Sequence, residues 1–344
     1  MRSFDFLYSF LLKRKVAFCL FLIRKFFLNQ VESFPIPFLI EKYISFLYNT
    51  IIYIMIRSIF LLKDLKDKEM EFMTIQTDFH IHSDFSGDSH SSMESMIEEG
   101  IRLGLKTMCF TEHLDLDFPY EDMDFSLDIP KYHQSFEAMR EKYHSQIELL
   151  FGIELGLQPH LSEQLLEVVN KVPFDFVIGS THLVNRTDPY YPEYFKGRSD
   201  SEAFRQYFEE VLKNIQSFPH FDTLGHLDYI VRYSPNKNKN YEWTDYLDLI
   251  DPILLFLIKS DLSLEVNTAG LKYGLSQPNP TSGILKRYRQ LGGRNITIGS
   301  DAHCPTHLAY GFSTLPELLN ECGFHHYNLY RNRQPYQENF ASTI

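Results

Sequence analysis

Seven short apolar runs, at 75–80, 106–111, 148–153, 174–180, 222–226, 262–267 and 295–300, each carry or precede a histidine or an acid at the carboxyl end. The runs are strand-length, often β-branched or aromatic, and bounded by polar turns. Amphipathic stretches of helical length lie between them, at 92–104, 130–145, 160–171, 200–217, 243–260 and 281–291, and a further helix is expected at 315–322. Asp200, ahead of Ser201-Glu202-Ala203, is the expected N-cap of the fourth helix. Strands that alternate with helices in this way predict an α/β protein with a parallel sheet.

The residues at the run ends decide between an open sheet and a barrel. His80 and His82 close the first run and Glu112-His113 the second; Glu154 follows the third and His182 the fourth. His226 and Asp228 end the fifth, Glu265 and Asn267 the sixth, and Asp301 and His303 the seventh. Barrel enzymes place their chemistry at the carboxyl ends of parallel strands. An open sheet would hold the first and seventh strands apart, whereas a barrel brings them together, so closure is predicted.

Imidazole nitrogen and carboxylate oxygen suit Zn²⁺, Mn²⁺ and Fe²⁺. The spacing of two in His80-Ile81-His82 puts both imidazoles on one strand face, and the same is expected of Asp301-Ala302-His303. Glu154 can bridge two ions, because carboxylate oxygens diverge. Glu265 reads as an orienting partner and Cys304 as a packing residue. His133, His144, His160, His220, His307, His325 and His326 fall in helical or irregular segments and read as ordinary surface or core residues.

The net charge of −12 divides into +4 on residues 1–72 and −16 on residues 73–344. The first 72 residues hold no glycine and no histidine, but 12 of the 30 phenylalanines. Their longest uncharged stretch, Tyr43 to Ile56, is 14 residues, short of the roughly 20 that a spanning helix needs. No small-residue cleavage site follows an early apolar core. We read 1–72 as an atypical N-terminal extension ahead of a metal-binding barrel at 73–344. A non-native extension from an upstream start codon, with Met73 as the natural start, is favoured over a membrane-surface segment or a docking appendage. The acidic charge argues against nucleic-acid binding. Cysteines 19, 109, 304 and 322 show no paired spacing, so a reducing, cytoplasmic setting is expected.

Taken in order, six segments resemble the polymerase-and-histidinol-phosphatase superfamily. They are Asp78-Phe79-His80-Ile81-His82-Ser83, Phe110-Thr111-Glu112-His113, Gly152-Ile153-Glu154, Gly179-Ser180-Thr181-His182, Leu224-Gly225-His226-Leu227-Asp228 and Gly299-Ser300-Asp301-Ala302-His303. Ser86-Gly87-Asp88-Ser89, Val266 to Leu271 and His226 to Tyr233 resemble its histidinol-phosphate phosphatase branch. The resemblance implies a distorted seven-stranded (β/α) barrel holding two or three divalent ions, Zn, Mn or Fe. It assigns His80, His82, Glu154 and Asp301 to the first ion. Glu154, His182 and His226 go to the second, and Asp88, His113 and His303 to the third. Many relatives carry histidine where this chain has Asp88, with His90 the rival ligand. Glu154, Asp301 and His303 are the implied catalytic residues. Arg232 and Lys272 are the implied substrate-binding cations, and Lys272 stands where relatives commonly carry arginine.

The resemblance implies a metal-dependent phosphoesterase that hydrolyses a small-molecule phosphate monoester, L-histidinol phosphate in histidine biosynthesis, by water that divalent ions convert to hydroxide. The amine of that substrate would suit an acidic partner, Asp228 or Glu112. Another phosphoesterase of the superfamily, acting on nucleotides or phosphotyrosine, is the alternative, and a non-catalytic metal-binding module a more distant one. Membrane contact through 1–72 is not favoured.

Overall fold

The computed structural model describes residues 75–340, and the expectations for 1–72 lie outside them. Seven strands form one parallel sheet in sequential order. They are β1 (Thr77–Ile81), β2 (Thr107–Leu114), β3 (Glu148–Gly156), β4 (Phe176–Ser180), β5 (Thr223–Leu224), β6 (Ser263–Asn267) and β7 (Ile296–Gly299). Sequential order with a helix-bearing crossover between strands is what a barrel requires. The segment after β7 closes the ring onto β1. Asp301 N–H donates to the His80 carbonyl at 2.8 Å and His82 N–H to the Ala302 carbonyl at 2.9 Å. Buried Asp78 clasps the same joint, accepting the Ser300 and Ala309 backbone N–H groups at 2.9 and 3.1 Å.

The outer helices are α1 (Met93–Leu103), α2 (Ile129–Tyr143), α3 (Ser162–Lys171), α4 (Asp200–Ser217), α5 (Leu247–Lys259), α6 (Ser282–Gln290) and α7 (Leu315–Glu321). Each lies within a few residues of its predicted range, because caps and apolar spacing mark the ends. Ser92 caps α1, which stops at Gly104 with φ 82°, a conformation that costs glycine little. Ser199, not Asp200, caps α4: its hydroxyl accepts the Glu202 N–H while the Glu202 carboxylate accepts the Ser199 N–H. Two reciprocal bonds outcompete the single one that Asp200 would offer.

An antiparallel hairpin, β8 (His326–Arg331) and β9 (Gln334–Asn339), has no counterpart in the sequence reading. It seals the amino end of the barrel. Thr77 at the start of β1 donates to Tyr327 Oη at 3.2 Å, Ser263 at the start of β6 lies 2.9 Å from Tyr330 Oη, and Arg331 grips Glu148 at the start of β3 with two bonds of 2.7 and 2.6 Å. The carboxyl end is thereby left as the open end. No helix among the described residues is long and apolar enough to cross a membrane.

Candidate metal centre

Glu154, near the end of β3 and fully buried, has five imidazoles around it. Its Oε2 lies 3.1 Å from His80 Nε2, 3.4 Å from His82 Nε2 and 3.2 Å from His113 Nδ1. The other oxygen, Oε1, lies 3.2 Å from His182 Nε2 and 3.0 Å from His226 Nε2. The two oxygens therefore face two separate sets of imidazoles, the arrangement a bridging carboxylate needs. Asp301 Oδ1 lies 3.8 Å from both His80 and His82, and Asp88 Oδ2 lies 3.0 Å from His303 Nε2 and 3.8 Å from His113 Nε2. All nine expected ligands thus meet at one end of the barrel.

How they arrive differs in two places. Glu112, His113 and Glu154 sit within strands that run longer than expected, rather than after them. Asp301 and His303 lie beyond β7, and Asp301 has φ 54°, so strand alternation does not align them. A left-handed turn does, held by the bonds to the His80 carbonyl. Gly299 permits the approach: a Cβ there would lie 2.3 Å from His80 Cβ and 2.7 Å from Glu265 Oε1.

Neighbours fix the imidazole orientations. His80 Nδ1 lies 2.6 Å from Glu265 Oε1, whose Oε2 accepts the His226 N–H at 2.7 Å. This is the orienting role expected of Glu265, and it leaves His80 Nε2 toward the cluster. His182 Nδ1 lies 2.7 Å from Asp115 Oδ1 and His82 Nδ1 lies 3.1 Å from Ser86 Oγ. Burial opposes charge on His80, but Glu265 and Glu154 outweigh it and hold its pKa well above the ordinary range. Burial likewise opposes charge on His113, but Glu154 and Asp88 outweigh it and raise its pKa to about 9. His82 goes the other way, pushed well below by burial and by His113 and His303.

These residues fit divalent ions. His82 Nε2, His113 Nδ1 and His303 Nε2 are buried and make no hydrogen bond, although carboxylates lie within 3.4 Å of each. Three unpartnered imidazole nitrogens in one buried cluster fit ligation of an ion. Ligand atoms converge within 4.8 Å in four groups: His80-His82-Asp301, His80-Glu154-His226, His82-His113-His303 and His113-Asp115-His182. Asp115 was not singled out from the sequence, although it follows His113 by two.

The cluster floors an open cavity of about 590 Å³. Arg232 lines it and is only 2% exposed. Its Nη1 donates to Asp301 Oδ2 at 2.6 Å, Nη2 to Asn267 Oδ1 at 2.7 Å and Nε to Asn279 Oδ1 at 2.8 Å. Lys272 Nζ donates to the Asp301 carbonyl at 3.3 Å and lies 3.5 Å from His307 Nδ1, so His307 belongs to the cavity wall and is no ordinary surface residue. His90 also lines the cavity, without joining the cluster. Asp228 and Glu112 do not line it. Asp228 is locked behind Arg232 by Asn279 Nδ2 at 2.5 Å and the Thr281 N–H at 3.0 Å, and Glu112 by Ser83 and Ser86. Tyr190, Tyr229, Tyr233 and Tyr273 complete the wall.

A family profile described as PHP domain matches residues 78–269. The histidinol-phosphatase of Lactococcus lactis is 32% identical over 249 residues, covering 72% of this chain and 91% of that protein. A probable histidinol-phosphatase of Clostridium acetobutylicum is 34% identical, covering 71% and 93%. In structure the chain is similar to the histidinol phosphate phosphatase of Lactococcus lactis complexed with zinc, L-histidinol and phosphate, with a TM-score of 0.71 and 30% identity over 76% of this chain and 98% of that one.

Proposed function

The chain belongs to the PHP domain family, in its histidinol-phosphatase branch, and on that premise we propose that it hydrolyses L-histidinol phosphate to L-histidinol and phosphate in histidine biosynthesis. The observation that carries this reading is Glu154, each of whose oxygens faces its own set of imidazoles. We assign the ions to two or three sites, as zinc, manganese or iron. The first is formed by His80, His82, Glu154 and Asp301, the second by Glu154, His182 and His226, and the third by Asp88, His113 and His303. When bound, divalent ions draw charge from phosphate oxygens and lower the pKa of water.

The chain's own residues do the rest. Glu265, Asp115 and Ser86 hold imidazoles in fixed orientations, so the site needs little reorganisation on reaction. Glu154, Asp301 and His303 are the proposed catalytic residues, acting through the ions they would hold. Three of the five N–H groups of Arg232 are engaged by Asp301, Asn267 and Asn279, which fixes the guanidinium in the cavity lining and leaves two for phosphate oxygens. Together with Lys272 they make the phosphate end of the cavity cationic. The substrate is a small molecule, and the cytoplasm suits free Cys109, Cys304 and Cys322.

The test is phosphate release from L-histidinol phosphate, nucleotides and phosphotyrosine with each metal supplied. L-histidinol phosphate should have the highest kcat/KM. A higher value for a nucleotide or phosphotyrosine would replace this reading with the alternative.

A further inference from the structure

Resting on the L-histidinol phosphate reading, we infer that Asp188 is the carboxylate that receives the substrate's ammonium group and so sets the preference for amine-bearing phosphate esters. Five carboxylates line the cavity: Asp88, Asp115, Asp122, Asp188 and Asp301. Four have side-chain partners. Asp88 faces His303, Asp115 holds His182, Asp301 takes Arg232, and Asp122 accepts the Tyr191 hydroxyl at 2.7 and 2.9 Å. Asp188 differs. Its Oδ1 accepts the Tyr190 N–H at 2.8 Å, and its Oδ2 takes no hydrogen bond among the described residues.

Burial makes that exceptional. Asp188 is only 6% exposed, and it shares the cavity lining with the metal cluster. A buried carboxylate without a cation is costly; burial pushes this one up to about 6, against the Tyr190 N–H. At neutral pH it remains ionised and ready for a cationic group. Its charge is felt at His182 and Tyr229, and both line the cavity with it. Tyr229 and Tyr273 lie 5.5 and 5.6 Å from the Arg232 guanidinium, while Tyr190 packs on Tyr233 at 5.5 Å. One cavity thus brings together two cations, Arg232 and Lys272, four tyrosines and the carboxylate of Asp188. A molecule that carries a phosphate and, a few bonds away, an ammonium matches that set of groups.

The backbone fixes the carboxylate. Thr187 N–H donates to the Val184 carbonyl at 3.0 Å and Asp188 N–H to Tyr120 Oη at 3.3 Å. Ammonium binding therefore needs no loop reordering.

The experiment compares the full chain with Asp188→Asn and Asp188→Glu on two substrates, L-histidinol phosphate and its des-amino analogue, imidazolylpropyl phosphate. Metal content and melting are followed in each. Asp188→Asn should lower kcat/KM for L-histidinol phosphate at least ~10-fold, chiefly through KM. It should leave the des-amino ester within ~2-fold, and Asp188→Glu should restore part of the preference. Equal losses on both substrates, or an unchanged preference in Asp188→Asn, would overturn the inference. An unaltered chain that does not favour L-histidinol phosphate over the des-amino ester would overturn it too, whereas failure of the underlying reading looks different: the unaltered chain would turn over neither ester, or would prefer a nucleotide or phosphotyrosine to both.

Discussion

Arg232 and Lys272 both line the cavity, but their surroundings predict different consequences of removal. Arg232→Ala would leave Asp301, Asn267 and Asn279 buried without their donor. Breaking one side of such a pair costs about 3 kcal/mol, so the melting temperature should fall and kcat with it. Lys272 makes two long polar contacts and lies over the Tyr273 ring at 5.4 Å. Lys272→Ala should keep the fold and raise KM by about tenfold, near 1.4 kcal/mol of binding. Melting curves with steady-state kinetics separate the two; an Arg232→Ala protein that melts normally would contradict this account. The proposed ligands were legible as candidates in the sequence, because histidines and acids recur at the ends of apolar runs. Asp115, Asp188 and His307 were less so. A lone acid or histidine in a loop has no periodicity, and only the folded chain shows what faces it. Asp228 misled for the same reason: its sequence neighbours are site residues, but its side chain turns behind Arg232 to Asn279.

At the level of elements, helices announce themselves through caps and spacing, whereas the hairpin at the amino end does not. Strand β9 is exposed throughout and carries Pro335, so no apolar alternation marks it. Its turn residues, Asn332 and Arg333, have φ of 49° and 63° without the glycine that usually signals such a turn. The hairpin is a structural staple, remote from the chemistry. Arg331→Ala removes a half-exposed bidentate pair with Glu148. It should lower stability by about 1 kcal/mol and leave kcat/KM for L-histidinol phosphate unchanged. Denaturant unfolding and kinetics check this; a loss of activity would mean that the amino end of the barrel is coupled to the site.

For the whole molecule, the concentration of acids and imidazoles at one barrel end makes metal uptake a proton-releasing process. The acids hold His113 at about 9 and His80 and His182 well above their ordinary range, so protons compete with ions below those values. Apparent metal affinity should fall as pH drops from about 9, and an indicator dye in weak buffer should record protons released on binding. We also propose 73–344 as the autonomous domain, and a chain beginning at Met73 should bind metal and turn over substrate like the full chain. The most direct test of the central claim is to strip the full chain with chelator and titrate zinc or manganese back, following phosphate release from L-histidinol phosphate and bound metal together. The account predicts no turnover without metal and recovery as two to three equivalents bind, with Glu154→Gln failing to recover. Turnover that survives complete metal removal, or full recovery in Glu154→Gln, would contradict it.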